Sequence, residues 1–268
     1  MATLRVVHDN AALSAVISAS STAGSLVAAN LQSGMKSIPW RSVGTSATLT
    51  LTWTTTKAVA CVVLPFSNLS STATFRARAY TNAGDAAAAL DTGTKLAAAG
   101  FTDVPQGVNS FAYGGGSYGC IWFVPTACKQ VVLDIVDTGN ALGYIESGSI
   151  VAGNYWTTAE NAEYGAEITY ADRTSNTRAD SGDLQSDRGT MNKVLSFSMQ
   201  FLSVAERNSF WSIMKRGTST PIYVSLIPLA DDPVEEQIFQ VYGKMSNTTK
   251  LNYTFLNQFG TSIDIEEL

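Results

Sequence analysis

Short runs in which apolar and polar residues alternate constrain the fold of this chain more than any other feature of its sequence. In Thr48–Trp53 the apolar residues Leu49, Leu51 and Trp53 fall on one face, and threonines fall on the other. Thr74–Tyr80 repeats this pattern. A period of two residues is that of a β-strand with one buried face. These segments are therefore predicted to be strands.

Other runs are apolar on both faces, as in the central strands of a sandwich. Val59–Leu64 and Gln130–Val136 are of this kind, and Met191–Leu202 is a long alternating run. Further strands are predicted at Ala166–Tyr170, Pro221–Ile227, Gln237–Lys244, Leu251–Gln258 and Ser262–Ile265. Gly, Asn, Pro and Ser separate the runs, which is typical of sandwiches and barrels. The sequence therefore predicts a mostly β protein.

One α-helix is predicted, at about residues 203–216. Ser203 and Glu206 have the spacing of a capping box, in which each side chain satisfies a backbone N–H group at the start of the helix. Gly217 is a residue type that commonly ends helices. The face expected to pack on a sheet carries Phe210, Trp211 and Met214.

A break in the pattern at residues 153–165 divides the 268 residues into two parts. The predicted domains are 1–156, a β-sandwich, and 157–268, a β-barrel or sandwich that carries the single helix. The glycine-rich segment Gly107–Gly119 is predicted to be a surface loop. Its Tyr113 and Tyr118 are candidate partner contacts, because aromatic loop tips bury a large area at low entropic cost.

The composition disfavours several functions. The net charge is -5, and the 17 basic residues are not clustered, which argues against a nucleic-acid partner. The apolar runs are too short to span a bilayer, and the amino terminus has no secretion-signal pattern. We therefore expect no membrane span and synthesis in a cytoplasm.

The sequence contains no evident reaction centre, so no catalytic residue, cofactor or metal ligand is predicted. The single histidine, His8, has no recognisable partners, and three scattered cysteines with one histidine do not suit zinc. The glycines at 114–116 lack the lysine of a phosphate-binding loop. Three carboxylate pairs lie in polar, turn-like stretches: Glu160 with Glu163, Asp180 with Asp183, and Asp231 with Asp232. We expect them to be solvated, and the chain not to be an enzyme.

Several segments resemble a known family. The first half resembles a galactose-binding-like jelly roll at Asn30-Leu31, Trp40–Ser42, Val62–Ser70, Ala73–Arg78, Gln130–Val136, Gly143–Ile145 and Ile150–Gly153. The second half resembles the barrel-plus-helix domain of distal tail proteins at Ser203–Gly217 and Pro221–Pro228. The whole chain thus resembles a bacteriophage minor tail or baseplate protein of the tail tip.

This resemblance implies a virion structural protein that forms a ring-like assembly linking the tail tube to the receptor-binding apparatus. The implied partners are other phage tail proteins, namely tube, tape-measure or hub proteins, and copies of the chain itself as a trimer or hexamer around the tail axis. The implied location is the tail tip of the virion, after synthesis in the cytoplasm of a bacterial host. Ser262–Leu268 and Ala171–Gly189 are expected to become ordered, or protected from hydrogen exchange, only in the assembled particle.

The alternative is a carbohydrate-binding module that recognises a bacterial surface glycan. Its site would then lie on the loops Ser33–Trp40, Asn68–Thr72 and Gly107–Gly119. The candidate partner or glycan contacts are Trp40, Arg41, Asn68, Tyr113 and Tyr118. For Trp40 a structural role, filling the sandwich with Arg41 paired at its edge, is the competing interpretation.

Overall fold

The computed structural model describes residues 3–97, 116–230, 232–246 and 249–268, and strands dominate this part of the chain. The first eleven strands are β1 Arg5–Val7, β2 Val16–Ala19, β3 Trp40–Arg41, β4 Ser46–Ser67, β5 Thr74–Tyr80, β6 Leu90–Asp91, β7 Lys95–Leu96, β8 Ser117–Val136, β9 Glu146–Ser147, β10 Val151–Gly153 and β11 Trp156–Thr157. The remaining elements are β12 Glu167–Asp172, β13 Ser175–Arg178, β14 Leu184–Asp187, β15 Met191–Leu202, α1 Val204–Met214, β16 Ile222–Ser225, α2 Pro233–Ile238, β17 Gln240–Met245, β18 Lys250–Phe255 and β19 Gln258–Glu267. The predicted mostly β fold class is confirmed.

The first unit is a nine-stranded antiparallel sheet in the order β3-β9-β4-β8-β5-β6. In addition, β2 and β10 pair with β4, and β7 pairs with β5. Register shifts interrupt the long β4–β8 pairing, for example between Thr52 and Lys57 and between Leu64 and Ser67. Such bulges bend strands, so both halves of β4 contribute side chains to one core. The result is the predicted jelly-roll-like sandwich.

The predicted strands Thr48–Trp53 and Val59–Leu64 are two parts of the single strand β4. The first part alternates in burial because only one face meets the core of the first unit. The second part is buried on both faces: Val62 and Leu64 face that core, whereas Cys61 and Val63 face residues of the second unit. The change in sequence pattern therefore reflects a contact between the units.

The second unit is an eight-stranded antiparallel sheet in the order β11-β1-β16-β17-β19-β15-β12, with β18 paired to β19. Its core is formed by side chains such as Phe197, Phe210 and Ile263. The strand β1 lies within the predicted range 1–156 and β11 spans the end of that range, yet both belong to the second sheet: Arg5–Val7 pairs with β16 on one side and with β11 on the other. Strand pairing thus joins both ends of the first half of the chain to the second unit. The predicted domain boundary at residue 156 stays a prediction.

The helix α1 agrees with its prediction. The Ser203 side chain accepts a hydrogen bond from the Glu206 backbone, and the Glu206 side chain accepts one from the Ser203 backbone. Gly217 follows the helix with a positive φ of 62°. The predicted packing face was wrong in one respect, because Phe210 and Ile213 are buried while Trp211 is 53% exposed. Residues 210 and 213 share a face at helical spacing, and residue 211 lies about 100° away.

The helix α2 was not predicted, because Asp231 and Asp232 belong to a polar stretch that is typical of a turn. The Asp232 side chain instead caps a helix by accepting a hydrogen bond from the Val234 backbone at 2.9 Å. Glu235 and Glu236 follow in the first turn, where carboxylates interact favourably with the helix dipole. The predicted strand Gln237–Lys244 consequently begins only at Gln240.

The carboxyl-terminal strand lies inside the second sheet. Residues of β19 pair with β15 on one side and with β17 and β18 on the other. Ile263 and Ile265 are buried in the core of the second unit. The expectation that Ser262–Leu268 becomes ordered only on assembly was therefore wrong. The segment Ala171–Gly189 contains the exposed hairpin β13–β14.

Candidate functional site

The two units are joined by a buried aromatic cluster, which we call the junction. Tyr118 and Trp122 of β8 meet Tyr223 of β16, with ring centroids 6.2 Å and 6.0 Å apart, respectively. Phe66 of β4 lies 6.5 Å from Tyr242 of β17. These contacts place side chains of both units in one apolar cluster. Burial of aromatic side chains makes the junction a large contribution to stability.

Polar groups at the junction are paired across it. The Tyr118 backbone N–H donates to Gln237 Oε1 at 2.9 Å, and Gln237 Nε2 donates to the Tyr118 carbonyl at 2.6 Å. The Tyr118 hydroxyl donates to Glu267 Oε1 at 2.5 Å. Trp122 Nε1 donates to Glu236 Oε1 at 3.0 Å. Burial raises the pKa of Glu236, an effect that the Trp122 hydrogen bond opposes.

A buried lysine completes this network. Lys193 is 6% exposed, and its Nζ donates to the carbonyls of Gln237 and Gln240 at 3.1 Å and 3.2 Å. Burial lowers the pKa of Lys193, and the charge of Glu267 opposes that effect. The ammonium group thus holds the end of α2 and the start of β17 against the second sheet.

A groove of about 710 Å³ opens beside the junction, between the two units. We call it the junction groove. One wall comes from the loop 34–39 with Arg41 and Glu146, and the other comes from Arg173, residues 190–192 and the end of β19. Its lining residues are Leu26, Gly34, Met35, Lys36, Ser37, Pro39, Arg41, Glu146, Arg173, Thr190, Met191, Asn192, Glu266, Glu267 and Leu268. Part of the predicted loop Ser33–Trp40 therefore lines a groove.

Arg41 and Glu146 form a fixed ion pair in the first wall. They are register partners on β3 and β9, and Arg41 Nε lies 2.6 Å from Glu146 Oε2. The guanidinium carbon lies 4.2 Å from the centroid of the Tyr144 ring, which is a cation–π contact. Asn68 holds the same strand by donating to the Tyr144 carbonyl at 2.9 Å and accepting from the Glu146 backbone at 2.7 Å.

The neighbouring loop is held close to this strand by a glycine. A Cβ atom on Gly148 would lie 3.0 Å from Lys36 Cα and 3.1 Å from Lys36 O, so a larger residue would require the loop to move away by a few tenths of an ångström. The Lys36 Nζ lies 5.1 Å from the Phe66 ring centroid. Burial lowers the pKa of Lys36, and Glu267 opposes the shift.

The opposite wall is also charged and paired. Arg173 Nη2 lies 2.9 Å from Glu266 Oε1, and Asn192 Nδ2 donates to the same oxygen at 2.9 Å. Glu267 accepts from the Lys193 backbone at 3.2 Å. The groove therefore contains three cationic and three anionic side chains. Such a lining balances charge and offers both donors and acceptors of hydrogen bonds.

The five predicted contact residues do not form one site in the structure. Arg41 lines the junction groove, and Asn68 lies behind it as a positioning residue. Trp40 is fully buried in the first core, where its Nε1 donates to the Ser21 carbonyl at 3.2 Å. Tyr118 is 3% exposed in β8, so its assignment to a surface loop was wrong. Tyr113 lies outside the described residues.

The other groups considered from the sequence are dispersed. Asp180 and Asp183 are exposed at the β13–β14 turn, Asp232 caps α2, and Asp231 lies outside the described residues. His8 is half-buried, and its pKa is lowered by burial and by Arg216. In the described ranges no three His, Cys, Asp or Glu side chains are grouped so as to hold a metal ion. Nor does any described helix have the length and apolarity needed to cross a membrane.

No sequence pattern singles out Glu146, Lys36, Asn192 or Glu266. Glu146 directly follows Gly143–Ile145, a segment that resembles the jelly-roll family, but nothing local shows that it pairs with Arg41, 105 residues away. The other three come from a loop and two strands that only the tertiary fold brings together. Lining residues that are so far apart in the sequence form no recognisable motif.

Comparisons with known proteins give structural similarity only. No protein-family model matches the sequence. No curated protein matches it either. Among solved structures, a chitosan-binding module from a chitosanase/glucanase of Paenibacillus sp. IK-5 is 15% identical, covers 55% of this chain and 100% of its own, and has a TM-score of 0.38. A CBM32 module of Clostridium perfringens in complex with GalNAc-β-1,3-galactose is 10% identical, covers 53% and 96%, and has a TM-score of 0.37.

Proposed function

We propose that this chain is a binding protein without catalytic activity, and that its junction groove binds a bacterial surface glycan. The observation that carries the proposal is the lining of the groove, in which fixed guanidinium, carboxylate and amide groups stand beside Met35, Met191 and Leu26. Sugars have hydroxyl groups that both donate and accept hydrogen bonds, and C–H faces that contact apolar side chains. The cavity volume of about 710 Å³ is in the usual range for small-molecule sites, roughly 300–1,000 Å³.

The ion pair of Arg41 and Glu146 is the expected centre of recognition. A guanidinium group donates two hydrogen bonds in one plane, and a carboxylate accepts two, which suits neighbouring hydroxyl groups on a sugar ring. The contacts with Tyr144 and Asn68 hold both groups in place before a ligand binds. Such preorganisation lowers the entropic cost of binding.

Binding of a glycan should be weakened by filling the groove. Ser37 is exposed on its rim, so Ser37→Trp should place an indole ring in the groove without disturbing a core. We expect the full chain to give saturable binding on a bacterial glycan array, and Ser37→Trp to weaken the strongest of these interactions at least 10-fold by calorimetry. Arg41→Ala should have an effect of similar size.

The matched control is Ser18→Trp, which adds the same ring at an exposed position on β2, outside the groove. It should bind the glycan like the unmodified chain. Thermal unfolding of each variant would show that the fold is retained. Absence of saturable binding across the array, or equal binding by Ser37→Trp and Ser18→Trp, would contradict the glycan site.

We also propose a setting for this activity, the tail tip of a bacteriophage, where the chain would serve as a structural subunit. The sequence resemblance to minor tail and baseplate proteins motivates this proposal. One structural observation favours it: Trp211 and Tyr253 of the second unit, which line the same surface depression, are 53% and 62% exposed. Large exposed apolar side chains that occur together are typical of surfaces covered by a partner.

The proposed location at the tail tip is tested on purified virions rather than on the isolated chain. We expect mass spectrometry of purified virions from a host that carries this gene to detect the chain at a fixed ratio to the tail-tube protein. Electron cryomicroscopy should then locate it in a ring at the tip. Virions that lack the chain, from a culture that produces it, would contradict the assignment and leave the glycan site unaffected.

A further inference from the structure

A second surface, away from the junction groove, is built around the exposed ring of Trp211. Two hollows lie on either side of this ring, of about 380 Å³ and 420 Å³. The first is lined by Trp211, Met214, Lys215, Gly217, Thr218, Met245 and Thr249. The second is lined by Arg207, Asn208, Trp211, Leu251, Tyr253 and Phe259. We call the two hollows and the ring between them the Trp211 surface.

The Trp211 surface carries the residue types that dominate protein–protein recognition. Trp211 and Tyr253 are exposed by 53% and 62%, although their neighbours Phe210 and Phe259 are buried. Trp, Tyr and Arg supply most of the binding energy at interfaces, particularly when they stand beside hollows. A solvated helix face does not require a tryptophan, so the exposed ring indicates a partner.

The charge of the Trp211 surface indicates which kind of partner would bind there. Each hollow contains one cation: the Arg207 guanidinium lies 4.5 Å from the Phe259 ring centroid, and Lys215 Nζ lies 5.9 Å from the Trp211 ring centroid. No acidic side chain is among the described residues that line either hollow. This is unusual in a chain of net charge -5. A segment with both apolar and acidic side chains is complementary to it.

The backbone beside the hollows indicates the conformation of the partner. Within the described ranges β18 pairs with β19 only, so its other edge presents unpaired backbone N–H and C=O groups. Leu251 and Tyr253 point to the hollow from alternate positions of this strand. A peptide strand added to a free edge also directs alternate side chains to one face. The side chains of the added peptide would contact α1 on either side of Trp211.

We propose that α1 and β18 bind an extended, acidic and apolar segment of a partner protein. The segment adds as a strand to the free edge of β18 and places one apolar side chain in each hollow. Carboxylates at the two outer positions of the same face then reach Arg207 and Lys215. This site is separate from the proposed glycan groove and does not depend on it.

The probe is a labelled peptide of sequence Glu-Thr-Leu-Thr-Leu-Thr-Glu, capped at both ends, tested on the full chain by fluorescence anisotropy. Its Glu and Leu residues alternate with Thr, so that they share one face in an extended conformation. We expect saturable binding in the micromolar range. A counterpart with Lys in place of Glu should bind at least 10-fold more weakly. An added strand pairs through alternate backbone N–H groups, so of two further counterparts, N-methylated at the three Thr or at the two Leu, one should also bind at least 10-fold more weakly.

Trp211→Ala should weaken binding of the acidic peptide at least 10-fold. The ring is exposed, so this variant should retain the fold. The matched control is Leu184→Ala, which removes a 61% exposed apolar side chain from β14 and should leave binding unchanged. Lack of saturable binding up to millimolar peptide would overturn the proposal. Concentration-dependent self-association that Trp211→Ala abolishes would assign the surface to a second copy of the chain and would also overturn it.

Discussion

Trp40→Ala is expected to lower the free energy of unfolding of the chain by about 3–5 kcal/mol. The Trp40 ring is fully buried in the core of the first unit, and its Nε1 donates to the Ser21 carbonyl. Alanine would leave a large cavity and an unpaired carbonyl. Both losses act on the folded state only. Urea unfolding at neutral pH, followed by circular dichroism, would measure the change.

Two further variants give this prediction its control. Trp211→Ala removes the same side chain from an exposed position and is expected to change stability by less than about 1 kcal/mol. Trp40→Phe keeps an aromatic ring and should lose less than Trp40→Ala. If Trp40→Ala left stability unchanged but abolished glycan binding, Trp40 would be a ligand contact and not a core residue.

The elements predicted most accurately are those whose signals are local. The alternation in Thr74–Tyr80 matches β5 to the residue, and Met191–Leu202 matches β15. The capping box at Ser203 locates the start of α1. In each case one short segment contains both the pattern and its cause, because a strand face or a helix cap is formed by neighbours in sequence.

The errors arise where distant parts of the chain meet. The glycines before Tyr118 suggest a loop, but the ring is buried because β16 and β17 cover it. The apolar second half of β4 is explained by the junction, which no local pattern describes. In Asp232-Pro233 the same residues suit a turn or a helix start, and the contacts of α2 decide between them.

The candidate site was likewise predicted only where its signal is local in the sequence. The family resemblance points to Arg41 and Asn68, and the structure places Arg41 in one wall of the junction groove and Asn68 behind that wall, bonded to the backbone of Glu146. The opposite wall was not predicted, because Arg173, which follows β12, and Glu266 of β19 both belong to the second unit. A site between two units depends on how they pack, and that packing is determined by the buried side chains of the junction rather than by the groove itself.

Stability is expected to fall steeply above about pH 10, because the junction buries phenol groups. Burial raises the pKa of Tyr118 and of Tyr223 well above 10.0, and the nearby charges of Glu267 and Cys120, respectively, add to the shift. Burial also raises the pKa of Tyr242. In the unfolded chain these hydroxyls ionise near pH 10, whereas in the folded chain they stay protonated. The unfolded state therefore binds fewer protons, and stability falls as pH rises.

The expected slope is about 1.4 kcal/mol per pH unit for each such group, so the three tyrosines together approach about 4 kcal/mol per unit. Cys61, with a pKa raised to about 12 by burial, adds to the loss from about pH 9. Lys193 acts in the opposite direction, because burial lowers its pKa, but only until the unfolded lysine also loses its proton near pH 10.5. The decline should thus be steepest above that pH.

Urea unfolding at pH 8, 10 and 11 would measure this decline. Tyr223→Phe should reduce the slope above pH 10 by about 1.4 kcal/mol per unit, since one titrating group is removed. Equal stability at pH 8 and pH 11 would mean that these phenols are solvated, and therefore that the two units do not pack through the aromatic cluster of the junction.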